Sequence, residues 1–355
     1  MATSEKHSSK PFHITPFGLL FAAVVTLLTF QPTLAKEYHV IQAGRGDFTS
    51  VQDAANVAQR PGDIVTIHAG TYQPFIIRHS GAPDQYIWFR AAPGAKPVIE
   101  GKVPPITEAN VQINASTGQT DPIGWIKLYG LEIANSPNDG IKAYNIHHWI
   151  LMNCHIHHSS GQNILVISSH DVTIDGNTIS DCGQSPQAQT NNQVHGLYAT
   201  GRNWTVTHNS FRANSAYGIQ IAGYSIQDQP MWKGKPLVLP GFDTVDNWMV
   251  ADNTFERQKN CAGIVVWPGY TGSCNKVTIT RNVFTCNAEN VYAAFSSPNG
   301  VLIYGSRCTN IDIRDNVYSG EKPFFANPAD PKLVNTYHLS NNTNADLPVN
   351  TKAQR

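Results

Sequence analysis

From about residue 125 onward, apolar and polar positions return in one order: a short alternating strand, a polar turn, a second strand ending near an Asn, and another aromatic or aliphatic residue. Self-similarity of this kind marks a solenoid, in which one supersecondary unit stacks on the next. The first strands of the repeat are Gly140-Ile141-Lys142-Ala143, Ile164-Leu165-Val166-Ile167, Gly196-Leu197-Tyr198-Ala199, Gly218-Ile219-Gln220-Ile221, Gly263-Ile264-Val265-Val266 and Gly300-Val301-Leu302-Ile303. Side chains alternate across a strand, so one residue enters the core and the next leaves it. Ile141, Leu165, Leu197, Ile219, Ile264 and Val301 are therefore expected to stack inward. Lys142, Val166, Tyr198, Gln220, Val265 and Leu302 are expected to line an outer strip.

A second register runs through the same repeats. Cys154, Asn177, Asn209, Asn253, Asn282 and Asn316 each stand two places before Ile156, Ile179, Phe211, Phe255, Phe284 and Tyr318. Asn tolerates the left-handed backbone of a tight turn, and stacked amides can bond from coil to coil, so an asparagine ladder is expected with Cys154 as its departure. A minimal three-strand coil needs about 20 to 25 residues, and the excess is assigned to loops. The largest are 183–193 and 224–246, flanking the coils that carry His195, Tyr198 and Gln220. Insertions on one face of a repeat scaffold commonly form its binding surface.

Ahead of the repeats, residues 36–72 read as strand, helix, strand: Tyr38 to Ile41, an Ala-rich helix from about Ser50 to Gln59, and Ile64 to Ile67. Thr49 and Gln52 fit a capping box at the helix start. Such an element would cover the end of the apolar column. Earlier still come Lys6 and Lys10, an apolar run from Phe17 to Phe30, and Thr33-Leu34-Ala35, which read as a signal peptide spanning 1–35. The run is shorter than the roughly 20 residues of a membrane-spanning helix. The expected organisation is a leader, a single domain over 36–346 and a polar tail over 347–355. The protein is expected to be secreted, extracellular or periplasmic, with no membrane association after cleavage and as a monomer.

The 25 basic and 25 acidic residues balance, and only 14% of the chain is charged, so nothing draws it to nucleic acid. Six cysteines in an exported chain permit disulfides, with Cys261, Cys274, Cys286 and Cys308 clustered late in the sequence. Connectivity is left open. No tight CxxC pair is present, and His147, His148, His155, His157, His158 and His170 fall in successive turns where His fills polar slots, so no metal site is expected. Asn114-Ala115-Ser116, Asn203-Trp204-Thr205 and Asn341-Asn342-Thr343 match a glycosylation triplet that chance also produces.

Asp47-Phe48-Thr49-Ser50-Val51-Gln52-Asp53-Ala54-Ala55, Pro61-Gly62-Asp63-Ile64-Val65 and Ala69-Gly70-Thr71-Tyr72 resemble the entry segment of the pectate-lyase-like superfamily. Leu128-Tyr129-Gly130-Leu131-Glu132-Ile133 and His195-Gly196-Leu197-Tyr198 are similar to its coils. The resemblance spans roughly residues 38–320 and implies an all-β, right-handed parallel β-helix solenoid with a short N-terminal helical cap. For function it implies a polysaccharide partner, through β-elimination, C5-epimerisation, hydrolysis or binding alone.

Elimination on a uronic-acid glycan needs a cation for the carboxylate, a base for the C5 proton and an acid for the leaving oxygen. The outer strip offers Lys142 as cation or base, His195 as base and Tyr198 as proton donor or second base. Arg202 and Arg212 stand in reserve as carboxylate partners. Gln220, Tyr224, Trp232, Trp267 and Tyr270 are candidates for contacting sugar rings. Each has a plain alternative: a solvated lysine, a packing aromatic, a histidine bonded to a neighbouring turn. No cofactor is expected, and Ca²⁺, which the resemblance leaves open, would need an acidic cluster that Asp139 alone near Lys142 does not make. A hydrolase would need paired carboxylates, and none is evident on the strip. The leading expectation is a polysaccharide lyase or related C5-epimerase acting on an acidic glycan, with a non-catalytic carbohydrate-binding or surface-structural protein as the competing class and a hydrolase third.

Overall fold

The computed structural model describes residues 34–101, 108–113, 121–183, 193–224, 231–232, 235–236, 244–259, 262–269, 272–285, 300–304, 307–320, 324–326 and 336–346. Residues 1–33 and 347–355, on which the leader and tail readings rest, lie outside this set.

The repeat builds stacked coils of parallel strands, gathered among the described residues into a 17-stranded and a ten-stranded sheet. Each coil contributes a long strand, such as Asp139–Met152, Ile164–Asp175 or Leu197–Thr207, and then a three-residue one, such as His155–His157, Thr178–Ser180 or Ser210–Arg212. The long strands bend where one residue enters the left-handed region: His148, Asp171, Asn203, Asn247, Lys276 and Asn310 all have φ between 46° and 57°. A second left-handed residue turns the chain into the short strand, at Asn153, Gly176, His208, Asp252, Arg281, Asp315 and Asn341. The turn residue is thus the one before each column asparagine, where the sequence reading had placed the asparagine itself.

Freed from the turn, the asparagines bond in series. Each of Asn177, Asn209, Asn253, Asn282 and Asn316 donates its backbone N–H and its Nδ2 to Oδ1 of the next, ending on Asn342, over distances of 2.8–3.1 Å. Cys154 donates only its backbone N–H to Asn177, 2.8 Å away, and one coil earlier the position is held by buried Leu131. Beside this column, Phe211, Phe255 and Phe284 stack at 5.0 and 4.9 Å. Trp204 and Trp248 lie parallel at 4.5 Å on the next wall.

The inward column of the first half-strand runs Val111, Ile141, Ile164, Leu197, Ile219, Ile264, Val301. One rung therefore differs from the sequence alignment: Ile164, not Leu165, points inward, and Leu165, not Val166, lies on the outer row. Asn163 takes the place that Gly140, Gly196, Gly218, Gly263 and Gly300 hold in their coils, and that buried Asn110 holds ahead of Val111; it is fully buried and spends its Nδ2 on the Ser180 carbonyl at 2.7 Å and Asn214 Oδ1 at 3.1 Å. Glycine is required elsewhere in this column by close approach, since a Cβ at Gly218 would lie 2.7 Å from both the Gly263 carbonyl and Phe255 Cδ1.

At the N-terminal end, Val51–Val57 forms the helix, and its N-cap is Ser50, whose Oγ accepts the Asp53 N–H, so Thr49 lies outside the box. Gln52 instead turns toward the solenoid and accepts the Ile76 N–H at 2.8 Å. Cys274 and Cys308 are register partners on neighbouring coils, both buried, and burial with the adjacent thiol pushes Cys274 well above its ordinary pKa. Cys154 and Cys182 are buried thiols pushed up to about 12 by burial. Cys261 and Cys286 lie outside the described residues.

Candidate functional site

Parallel pairing places Gln112, Lys142, Leu165, Tyr198, Gln220, Val265 and Leu302 side by side along the outside of the first half-strands. With strands about 4.8 Å apart, Lys142 and Tyr198 stand two rungs, roughly 10 Å, from one another at Cα. Leu165 lies between them. The row is more enclosed than a solvated strip, because Gln112, Lys142, Gln220, Val265 and Leu302 are all buried.

Lys142 sits between two carboxylates, with Nζ 2.9 Å from Glu108 and 3.5 Å from Asp139. Burial pulls the ammonium down, but Asp139, Tyr144 and Glu108 outweigh it and hold Lys142 above its usual pKa. Burial raises the Asp139 carboxyl to about 6 against the pull of Lys142 and the Gln162 N–H. A carboxyl whose folded pKa exceeds its unfolded value binds more protons when folded, so its contribution is present at acid pH and is lost as pH rises from 3.8 through about 6. Melting temperatures across that window should therefore show Asp139→Asn gaining on the wild type as pH increases. A difference that is flat, or that shrinks, would contradict the burial of this group.

His195 is fully buried, and its Nδ1 accepts the Tyr217 N–H at 3.3 Å, which leaves the proton on Nε2. Burial lowers it to about 3, so it stays neutral, and Nε2 has no hydrogen-bond partner among the described residues. With its one lone pair occupied and no surface, this imidazole is placed as a structural group behind the row rather than as the base expected from sequence. Its ring stacks against Tyr198 at 5.8 Å and Tyr217 at 5.3 Å.

Tyr198 is half-buried and shares a short hydroxyl–hydroxyl hydrogen bond with buried Tyr224. Burial and the neighbouring phenol raise its pKa well above the ordinary tyrosine value. Trp267 packs edge-on against Tyr224 at 5.7 Å. Together with Tyr144, Leu165, Ile167 and Ala222 these rings form an apolar cluster outside the main core. Gln220, the next rung beyond Tyr198, borders it.

Arg212 does not join this group: it is on the ten-stranded sheet, exposed, with Nε 3.9 Å from Glu256. Arg202 is exposed and aligns with His170 and Asp246 at the bend. Trp232 belongs to the short antiparallel pair Met231–Trp232 with Lys235–Pro236; its side chain, like Tyr270, lies outside the described residues. Sequence reasoning missed Glu108 and Tyr144. Tyr144 was legible, standing two places beyond Lys142 on the same face, whereas Glu108 comes from the preceding coil and has no periodic signature.

The sequence signature described as a right handed beta helix region matches residues 125–228. No curated protein sequence matches this chain. Among solved structures, the pectate lyase Pel9A is 14% identical with a TM-score of 0.55, over 88% of this chain and 80% of its own. A family 28 exopolygalacturonase from Yersinia enterocolitica is 13% identical with a TM-score of 0.60, over 88% of this chain and 66% of its own. PfbA, a surface adhesin of Streptococcus pneumoniae, is 11% identical with a TM-score of 0.53, over 83% of this chain and 74% of its own. At these identities the likeness is one of architecture, and the chain is a right-handed parallel β-helix of the kind that a lyase, a hydrolase and an adhesin share.

Proposed function

We propose that this chain is a secreted protein that binds a polysaccharide along the outer row of its first half-strands, with Tyr198 and Trp267 as sugar-stacking faces. The observation that carries this reading is the satellite cluster of Tyr144, Tyr198, Tyr224 and Trp267 outside the core, bordered by Gln220. Half-buried rings such as Tyr198 and Trp267, backed by buried Tyr144 and Tyr224, suit sugar rings, which offer apolar faces edged by hydroxyls. Export is supported by the leader-like opening of the sequence. Among the described residues of the row, two carboxylates answer the one lysine, and this favours a neutral glycan over a polyuronate.

A second reading, β-elimination or C5-epimerisation on a uronic-acid glycan, is favoured by the buried Lys142–Asp139 pair, whose carboxyl has a proton to exchange near pH 6. Lys142 would have to trade one carboxylate partner for the substrate's, with Tyr198 protonating the leaving oxygen.

Calorimetric titration against neutral and acidic oligosaccharides, with ultraviolet detection of unsaturated uronate, tests both. Trp267→Ala is expected to weaken binding about 10- to 30-fold, the scale of losing one central aromatic contact, while Tyr337→Ala, exposed and on another wall, leaves it unchanged. Binding without an unsaturated product or epimerised sugar supports the first reading. Product formation that depends on Lys142 and Tyr198 establishes the second, and absence of binding and product across the panel removes both.

A further inference from the structure

Outside the outer row, two groups of side chains bring metal-ligating atoms within 4.8 Å of one another: His148 with His170 and Asp171, and Glu132 with His155 and His157. The first group lies at the bend of two neighbouring long strands, where His147 and His170 are register partners. His148 and Asp171 occupy the bend itself, at φ of 46° and 55°. Non-glycine residues adopt this backbone at a cost, and here it turns both side chains out to the same corner.

We propose that His148, His170 and Asp171 bind a divalent transition-metal ion of the zinc class, joining the coil of Asp139–Met152 to that of Ile164–Asp175. Asp171 Oδ2 lies 2.6 Å from His170 Nδ1 and 3.8 Å from His148 Nε2. Tetrahedral zinc, with bonds of about 2.0–2.2 Å, sets its ligand atoms roughly 3.3–3.6 Å apart, and the three ligand atoms here already lie within 4.8 Å of one another. Two imidazole nitrogens and one carboxylate oxygen suit zinc, whereas Ca²⁺ and Mg²⁺ prefer oxygen throughout.

The surroundings orient each ligand. His148 Nδ1 faces His147 Nδ1 at 2.9 Å, which turns His148 Nε2 toward the carboxylate. Asn203 Nδ2 donates to Asp171 Oδ1 at 3.0 Å, which leaves Oδ2 for the ion. Trp125 stacks on the His148 ring at 3.9 Å and 17°. His147 can take its position because residue 124 is glycine, where a Cβ would lie 2.0 Å from its Cε1. Partners of this kind, fixing tautomer and ring direction, distinguish a built metal site from a chance meeting of histidines.

Without the ion, the short His170–Asp171 contact is an imidazole N–H donating to a carboxylate. To bind Zn²⁺ at this nitrogen the neutral ring carries its proton on Nε2 instead, with no net proton lost, whereas at acid pH each imidazolium must first release a proton to solvent, so binding weakens as pH falls.

Calorimetric titration of the chelator-stripped full chain with Zn²⁺ is the test, read with the absorption of the Co²⁺-substituted protein. Zinc is expected at this corner, with a four- or five-coordinate cobalt spectrum and an affinity that falls as pH is lowered and imidazolium protons have to be displaced. His148→Ala and Asp171→Asn should abolish it. Asn203→Ala should weaken it about 10- to 100-fold through the loosened carboxylate, and His157→Ala should leave it intact. Absence of binding at millimolar zinc overturns the proposal, as does binding lost in His157→Ala but kept in His148→Ala and Asp171→Asn. Should those two variants fail to fold, a hexa-aqua-like cobalt spectrum in the wild type overturns it equally.

Discussion

Asn253→Ala is expected to lower the unfolding free energy by about 3–5 kcal/mol, read as a fall in the urea midpoint. The residue is buried in the middle of the amide column, and its Oδ1 accepts both the backbone N–H and Nδ2 of Asn209. Its own Nδ2 shares its two hydrogens among the carbonyls of Val206 and Ala251 and Asn282 Oδ1. Truncation leaves several buried donors and acceptors without partners, each costing about 1–3 kcal/mol, and water cannot reach to replace them. Asn342→Ala, at the half-buried last rung, removes an acceptor that solvent can substitute and should cost about 1 kcal/mol. Equal losses at the two positions would mean that the column is not what distinguishes them.

Phe255→Ala should cost about 3–5 kcal/mol, the range for deleting a fully buried aromatic. Its ring lies between Phe211 and Phe284 and against Gly218, so no neighbour can collapse into the space without leaving its own stack. Phe255→Leu should recover part of the loss. Because Asn253 and Phe255 share one turn, the double variant should fall short of the sum. Full additivity would show that amide column and aromatic stack are held independently.

The repeat was legible because strand alternation and the Asn-to-aromatic offset are local patterns repeated many times. It failed at Asn163, where a buried amide replaced glycine and moved the alignment by one residue, turning Leu165 outward. The helix was readable, but its cap fell on Ser50, because Gln52 is used by Ile76 rather than by the helix start. Of the site, the placing of Lys142 and Tyr198 on one row followed from alternation alone. That Glu108 neutralises Lys142, or that His195 is buried with its lone pair occupied, depends on side-chain packing between coils, which a linear pattern does not carry. The histidines at 147 and 170 are instructive. Their separation equals the 23 residues between Cys154 and Asn177, so the coil period already placed them side by side, yet single turns read one at a time hid it.

Cys154 marks where polar stacking gives way to apolar stacking, with Asn177 on one side and Leu131 on the other. That boundary divides the chain into segments of unequal evolvability. A duplicated coil inserted between Asn177 and Asn316 would bring an acceptor for the rung before it and donors for the rung after, and could lengthen the protein without loss. The same coil inserted ahead of Cys154 would strand an amide against leucine. Growth by whole-repeat duplication is therefore permitted in the C-terminal portion and penalised near the helix-capped end.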